Sequence, residues 1–249
     1  MESDSYALVC LPPAGCSANI YQIFKKYAPS NCHVFSLDYP GHGRKLSQPL
    51  SSDIHHIVQQ LALEISALPH LHIVLFGHSL GAGLLLPLIN QLKHQNCLSK
   101  IKLVILSSRP APHHSQHLTG KQTLSDQALL LELKNYAYLP QQILDNPELM
   151  RFCLKLIRHD FALSDALITH SHNMCTDLPM LVVAGDQDPD LKHPTMLDTW
   201  QNYTHQWLGV EQFKGHHFYF MDQDVVKDML NCIDQHVQHL IMHAQEAAQ

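Results

Sequence analysis

The chain has 249 residues, 45% of them hydrophobic and 15% charged, with 16 Lys and Arg against 22 Asp and Glu for a formal net charge of −6. Such a length can bury one large core, and no apolar run is long enough to span a bilayer, which excludes a helical membrane protein. The acidic balance argues against broad nucleic-acid binding, and docking to an acidic protein partner would need a local basic patch.

Seven cysteines, scattered without a Cys-x-x-Cys, fit reduced thiols rather than a disulfide framework. The acidic, polar start Met1-Glu2-Ser3-Asp4-Ser5 has no basic region or signal-peptide core, so a cytoplasmic protein is expected. The 21 histidines fall in pairs or near-pairs such as His55-His56, His113-His114 and His216-His217, with no His-Glu-x-x-His. Most of them are expected at the surface, and no metal site is expected.

In chain order, residues 6–11 read as a buried strand that leads into Pro12-Pro13-Ala14-Gly15-Cys16-Ser17-Ala18. A helix at 19–27 and a strand at 33–37 precede the turn Asp38-Tyr39-Pro40-Gly41-His42-Gly43-Arg44, and an amphipathic helix covers 53–68. The strand at 72–76 runs through Gly77-His78-Ser79-Leu80-Gly81 into a helix at 80–92. Gly-x-Ser-x-Gly alone is common, but between a strand and a helix it describes a nucleophile elbow. Its glycines let strand and helix approach closely while the serine takes a strained backbone conformation that lifts its hydroxyl above the sheet.

A strand at 102–106 follows, and the alternation then breaks over about 112–178. This stretch holds helices at 125–136, capped by Ser125, and at 147–157, capped by Asn146 with Pro147 in the first helical position. Helices inserted between two strands would form a lid over the strand ends. Tyr136, Tyr138, Leu139, Phe152 and Phe161 would line an apolar channel there, or simply pack the lid on the sheet. A strand at 180–184, a helix at 194–203, a weaker strand at 206–213 and a last helix at 223–243 complete the chain. The expected fold is α/β, a mainly parallel sheet with helices on both faces, forming a single domain over 1–249 with the lid inserted. Active groups in such sheets sit at the carboxyl ends of the strands.

Ser79 needs a base to take its proton, and the base needs an orienting carboxylate, in the chain order Ser, acid, His. The strand before Ser107-Ser108-Arg109-Pro110 offers no carboxylate, which leaves Asp186-Gln187-Asp188 after the next strand. Asp188, three residues beyond Gly185, has room to reach a histidine; Asp186 is the alternative, with capping of the turn as its other role. His216 and His217 both follow the last strand, and adjacent residues cannot both point at Ser79. For an oxyanion, the N–H of Leu80 follows the nucleophile, and Pro12 and Pro13 have none to give. The second donor is then Ala14 or Gly15, of which Ala14 is preferred. Cys16 beside it reads as a small buried filler rather than a reactive thiol.

These segments together resemble the type II thioesterases of nonribosomal peptide and polyketide assembly lines, a branch of the α/β-hydrolases. The likeness covers the loop from Pro12 to Ala18, the turn from Asp38 to Arg44, the elbow from Gly77 to Ala82 and the stretch from Ser107 to Pro112. It continues through Asn146-Pro147-Glu148-Leu149 and Arg158-His159-Asp160-Phe161 to the segment from Phe213 to Phe220. The register of the resemblance places the family's catalytic histidine on His217, with His216 and Cys16 where the family has glycine, and its acid on Asp188. It implies a Ser79–Asp188–His217 serine hydrolase that acts on acyl thioesters carried by the phosphopantetheine arm of an acyl or peptidyl carrier protein. The arm arrives on the partner, so no cofactor is expected, and a monomer is expected. A carboxylesterase or lipase acting on small oxygen esters would use the same triad, and a non-catalytic acyl-carrier-binding module would need none of it.

Overall fold

A computed structural model describes residues 5–136, 141–191, 193 and 195–246. Six strands, β1 (Tyr6–Leu11), β2 (Cys32–Ser36), β3 (Ile73–His78), β4 (Ile101–Ser107), β5 (Thr176–Gly185) and β6 (Thr204–Phe213), form one sheet in the order β2-β1-β3-β4-β5-β6. All neighbouring strands are parallel. The helices are α1 (Gln22–Tyr27), α2 (Ile54–Ser66), α3 (Leu80–His94), α4 (Asp126–Asn135), α5 (Gln141–Leu144), α6 (Pro147–Ser171), α7 (Thr195–Asp198) and α8 (Gln223–Glu246).

The period of two along a strand sorts the core into two layers. Ala7, Val9 and Leu11 of β1 join Leu61, Leu84 and Leu88 from α2 and α3 on one face. Tyr6, Leu8 and Cys10 join Phe24 of α1 and Met229, Ile233 and Val237 of α8 on the other. Covered on both sides, the inner strands carry near-continuous apolar runs, which is why they are legible in the sequence. β6 is an edge strand with many half-exposed positions, and its sequence signal is correspondingly faint. No helix among the described residues is long and apolar enough to cross a membrane.

Three helices differ from expectation. The stretch expected at 19–27 begins as a 3₁₀ turn, Ala18–Tyr21, before α1. The helix expected to stop at 157 continues to Ser171. Arg158-His159-Asp160 lies within an unbroken 3.6-residue period of buried positions, Leu154, Ile157, Asp160, Leu163 and Leu167. The stretch at 194–203 is a single short α-turn, α7, followed by a 3₁₀ segment, Thr199–Tyr203. Ser125 and Asn146 do cap α4 and α6, accepting from Ala128 N–H at 3.2 Å and from Glu148 and Leu149 N–H at 3.1 Å.

The turn between β3 and α3 leaves no room for side chains at its glycines. A Cβ on Gly81 would stand 2.2 Å from the Leu11 carbonyl oxygen, and one on Gly77 2.4 Å from that of Gly81. Both obstacles are backbone, so the contact cannot be relieved by a rotamer. Gly81→Ala is expected to destabilise the fold by about 1–3 kcal/mol or more, seen as a Tm several degrees lower in thermal unfolding.

Candidate active site

Ser79 sits between β3 and α3 with φ +52° and ψ −109°, a conformation that costs a non-glycine residue about 1–3 kcal/mol. Three contacts hold it there. Its N–H donates to the Ser107 carbonyl at 2.9 Å, and its own carbonyl accepts from Gly83 N–H at 3.2 Å and from the Arg109 guanidinium at 3.3 Å. Arg109 is itself buried and also donates to Ser164 Oγ of α6 at 2.9 Å, so it ties the elbow to that helix. The next N–H, of Leu80, opens α3 and has no intrahelical acceptor, which leaves it available to a negative oxygen at the helix start.

Two adjacent histidines and two nearby aspartates take separate roles. His217 Nδ1 donates to Asp188 Oδ2 at 2.8 Å, and both residues are buried. His216 is exposed, with Nδ1 3.1 Å from the Gln187 carbonyl. Asp186 is also exposed and accepts from Gly215 N–H at 2.8 Å, clasping the loop that carries the histidines. Asp188 has its other oxygen on Asp190 N–H at 3.0 Å. Burial disfavours the charge on Asp188, but the proximity and hydrogen bond of His217 outweigh it and hold the carboxyl below its usual range. The same pairing, also against burial, raises His217 above an ordinary imidazole.

His78 packs beside His217 with ring centroids 4.8 Å apart. Burial, reinforced by His217, pushes its basicity far down, so His78 stays neutral and adds no second positive charge. Its ring is fixed by Ser107 Oγ at 2.8 Å, which in turn contacts the Tyr219 hydroxyl at 2.8 Å.

Ser79 and His217 line the same cavity, of about 420 Å³, together with Ala14, Gly15 and Cys16. Its wall is largely apolar, with Ile20, Ile23, Leu133, Ile157, Phe161 and Phe218. In the loop after β1, Cys16 N–H bonds the Pro13 carbonyl at 3.2 Å and Gly15 N–H bonds Asp160 Oδ2 at 2.7 Å, which leaves Ala14 N–H as the loop's candidate donor. Burial pushes the Cys16 thiol up to about 12, so it is a neutral wall group and not a nucleophile.

Of the aromatic residues expected in a channel, Tyr136 and Phe161 line this cavity. Phe152 does not: it is 49% exposed, on the outer face of α6. Tyr138 and Leu139 lie outside the described residues. Tyr136 does more than line the wall. Its ring lies 4.8 Å from that of His217, and its hydroxyl donates to Asp190 Oδ2 at 2.9 Å. Lys121 bridges Asp190 at 3.2 Å and Glu132 at 2.9 Å and also donates to the Tyr136 hydroxyl. Arg109 and Asp160 lie in segments that carry the resemblance, but the partners each one bonds have no local sequence signal, because they lie far along the chain.

Four of the histidines, His42, His70, His78 and His217, are buried rather than at the surface. Away from the cavity, Glu211, Cys232 and His236 each bring one ligand atom within 4.8 Å of the others. That trio could hold a metal ion but falls one short of the four ligands of a closed zinc site.

The family model described as a thioesterase domain matches residues 6–236. The AMB antimetabolite synthetase AmbE of Pseudomonas aeruginosa is 28% identical over 84% of this chain, which spans only 10% of that much longer protein. Thioesterase PikA5 of Streptomyces venezuelae is 26% identical over 87% of this chain and 76% of its own. Among solved structures, the type II thioesterase BorB from the borrelidin biosynthetic cluster superposes with a TM-score of 0.75 at 28% identity, covering 94% of this chain and 93% of that one.

Proposed function

The chain belongs to the thioesterase-domain family, and from that premise we propose that it hydrolyses acyl thioesters held on the phosphopantetheine arm of an acyl or peptidyl carrier protein, clearing stalled or misprimed groups from a biosynthetic assembly line. The observation that carries the reading is the buried Asp188–His217 hydrogen bond, on the cavity that Ser79 also lines. In this reading Ser79 Oγ attacks the thioester carbonyl while His217 Nε2 accepts its proton, and Asp188 holds the imidazole in the tautomer with hydrogen on Nδ1. The N–H groups of Leu80 and Ala14 receive the oxyanion, a contribution of about 10²–10³ in rate from each donor. His217 passes the proton to the departing sulfur as the C–S bond breaks, which frees the pantetheine thiol and leaves an acyl ester on Ser79. Water, deprotonated by His217, then cleaves that ester and returns the serine.

The apolar wall suits an acyl chain, and the described helices between β4 and β5, the last of which ends at Ser171 before β5 begins at Thr176, act as the lid that encloses it. The enzyme works in the cytoplasm as a monomer and needs no cofactor of its own, since the arm comes with the partner. The test compares kcat/KM on carrier-bound acyl thioesters with that on matched oxygen esters. The thioesters are expected to lead by about tenfold or more, ~1.4 kcal/mol in transition-state binding. A preference for oxygen esters would make the protein a carboxylesterase instead.

A further inference from the structure

The loop that presents Ala14 is held at three points by the turn after β2. Tyr39 OH donates to the Pro12 carbonyl at 2.8 Å, and Ala18 N–H donates to Asp38 Oδ1 at 2.7 Å. The third hold runs through α6. Gly15 N–H donates to Asp160 Oδ2 at 2.7 Å, and the same oxygen lies 2.9 Å from His42 Nε2. The other ring nitrogen of His42, Nδ1, lies 3.1 Å from the Pro40 carbonyl oxygen.

That oxygen can only accept, so Nδ1 carries a hydrogen. Asp160 Oδ2 already accepts from Gly15, and its Oδ1 lies 3.2 Å from His159 Nδ1, a pattern that suits a carboxylate. Nε2 facing it therefore carries a hydrogen as well. His42 is 2% exposed and Asp160 fully buried, so neither charge is tolerable without the other.

The hold acts on one particular peptide. Pro13 to Cys16 closes a turn through Cys16 N–H to the Pro13 carbonyl, with Gly15 at φ +72° in its third position, the pattern of a type II turn. Type I and type II differ by a flip of the central peptide, here Ala14–Gly15. With Asp160 charged, a flip would turn the Ala14 carbonyl toward a carboxylate. A Cβ on Gly15 would stand 2.4 Å from Ile157 Cγ1, so the loop is also pressed close against α6.

We infer that His42 is a buried imidazolium that acts through Asp160 as a positioning residue for the Ala14–Gly15 peptide, and that its loss of a proton in alkaline solution releases that peptide and slows hydrolysis. This rests on the function proposed above. Burial opposes the charge on His42, but the hydrogen bond and proximity of Asp160 overcome it and raise the group above its ordinary value. Burial likewise opposes the charge on Asp160, and the hydrogen bonds from His159, His42 and Gly15 overcome it and lower that carboxyl. The remaining neighbours leave the sign unchanged. Asp38 adds negative charge but is itself bound by the Arg44 guanidinium at 3.2 Å, while Tyr39, edge-on to His42 at 5.6 Å, and Cys16 are neutral. A raised value places the ordered turn below the proton loss, and it is lost as pH rises through it.

The experiment follows kcat, KM and the pH profile for the natural protein, His42→Gln and Asp160→Asn, with ¹⁵N-histidine NMR of the natural protein. His42 is expected to show both ring nitrogens protonated at neutral pH. The natural enzyme is expected to show an alkaline fall in kcat. Both variants are expected to lose about 10–100-fold in kcat with little change in KM, and to lose that alkaline limb. A singly protonated His42 at neutral pH overturns the inference, as does an unchanged alkaline limb in a folded His42→Gln. If both variants fail to fold, the NMR titration decides. An active Ser79→Ala protein would sink the proposed function and leave the protonation of His42 still measurable.

Discussion

Ser79→Ala is expected to lower kcat on a carrier-bound thioester by roughly 10⁴–10⁶-fold while the protein stays folded. The loss is chemical because the serine hydroxyl is the group that forms the acyl ester, and alanine has none to offer. The two cysteine thiols among the described residues of the cavity wall, Cys16 and Cys153, are both pushed toward the neutral form by burial. The fold is expected to survive because, among the described residues, the contacts that hold the elbow run through the backbone of Ser79, to Ser107, Gly83 and Arg109. Thermal unfolding of the variant within about a degree or two of the natural protein, together with loss of labelling by a fluorophosphonate, is the expected pairing. Labelling that persists in the variant would place the nucleophile elsewhere.

Asp188→Asn is expected to lower kcat by about 10⁴-fold and to shift the acid limb of the pH profile. The asparagine amide keeps the shape but can donate to Nδ1, which favours the wrong tautomer and leaves Nε2 with a hydrogen where a lone pair is needed. The pH dependence follows from the raised His217. The base must be neutral, so kcat/KM is expected to fall as pH drops through a value above the ordinary histidine figure of about 6.5. Without the Asp188 charge that limb moves to lower pH, because burial alone lowers an imidazole. The stability linkage has two signs. The pair's contribution through Asp188, whose folded value is depressed, is lost as pH falls through that value. Its contribution through His217, whose folded value is raised, is lost as pH rises through it. A pH–rate profile and urea unfolding at several pH values would read both.

Much of the frame was legible in the residues. Strands buried on both faces announced themselves as apolar runs, and Ser125 and Asn146 read correctly as caps. The elbow was marked by Gly77 and Gly81, whose missing side chains the backbone contacts require. The far end of α6 was not legible: the helix read over 147–157 runs on to Ser171, and Asp160 beyond the expected end faces inward because His42, Gly15 and His159 satisfy it there.

By itself, then, the sequence determined what contiguous residues can determine: the alternation of strand and helix, the strained serine between two glycines, and the order of serine, acid and histidine along the chain. Tertiary structure decided the pairings. Adjacent His216 and His217 are chemically identical, and only the loop's path across β5 turns one toward Asp188, 29 residues away, and the other toward the Gln187 carbonyl. The separation of 118 positions from His42 to Asp160 hides their contact in the same way. Backbone periodicity and turn chemistry act over a few residues and are written locally; the partner of a buried charge depends on how distant segments pack, and no local pattern carries it.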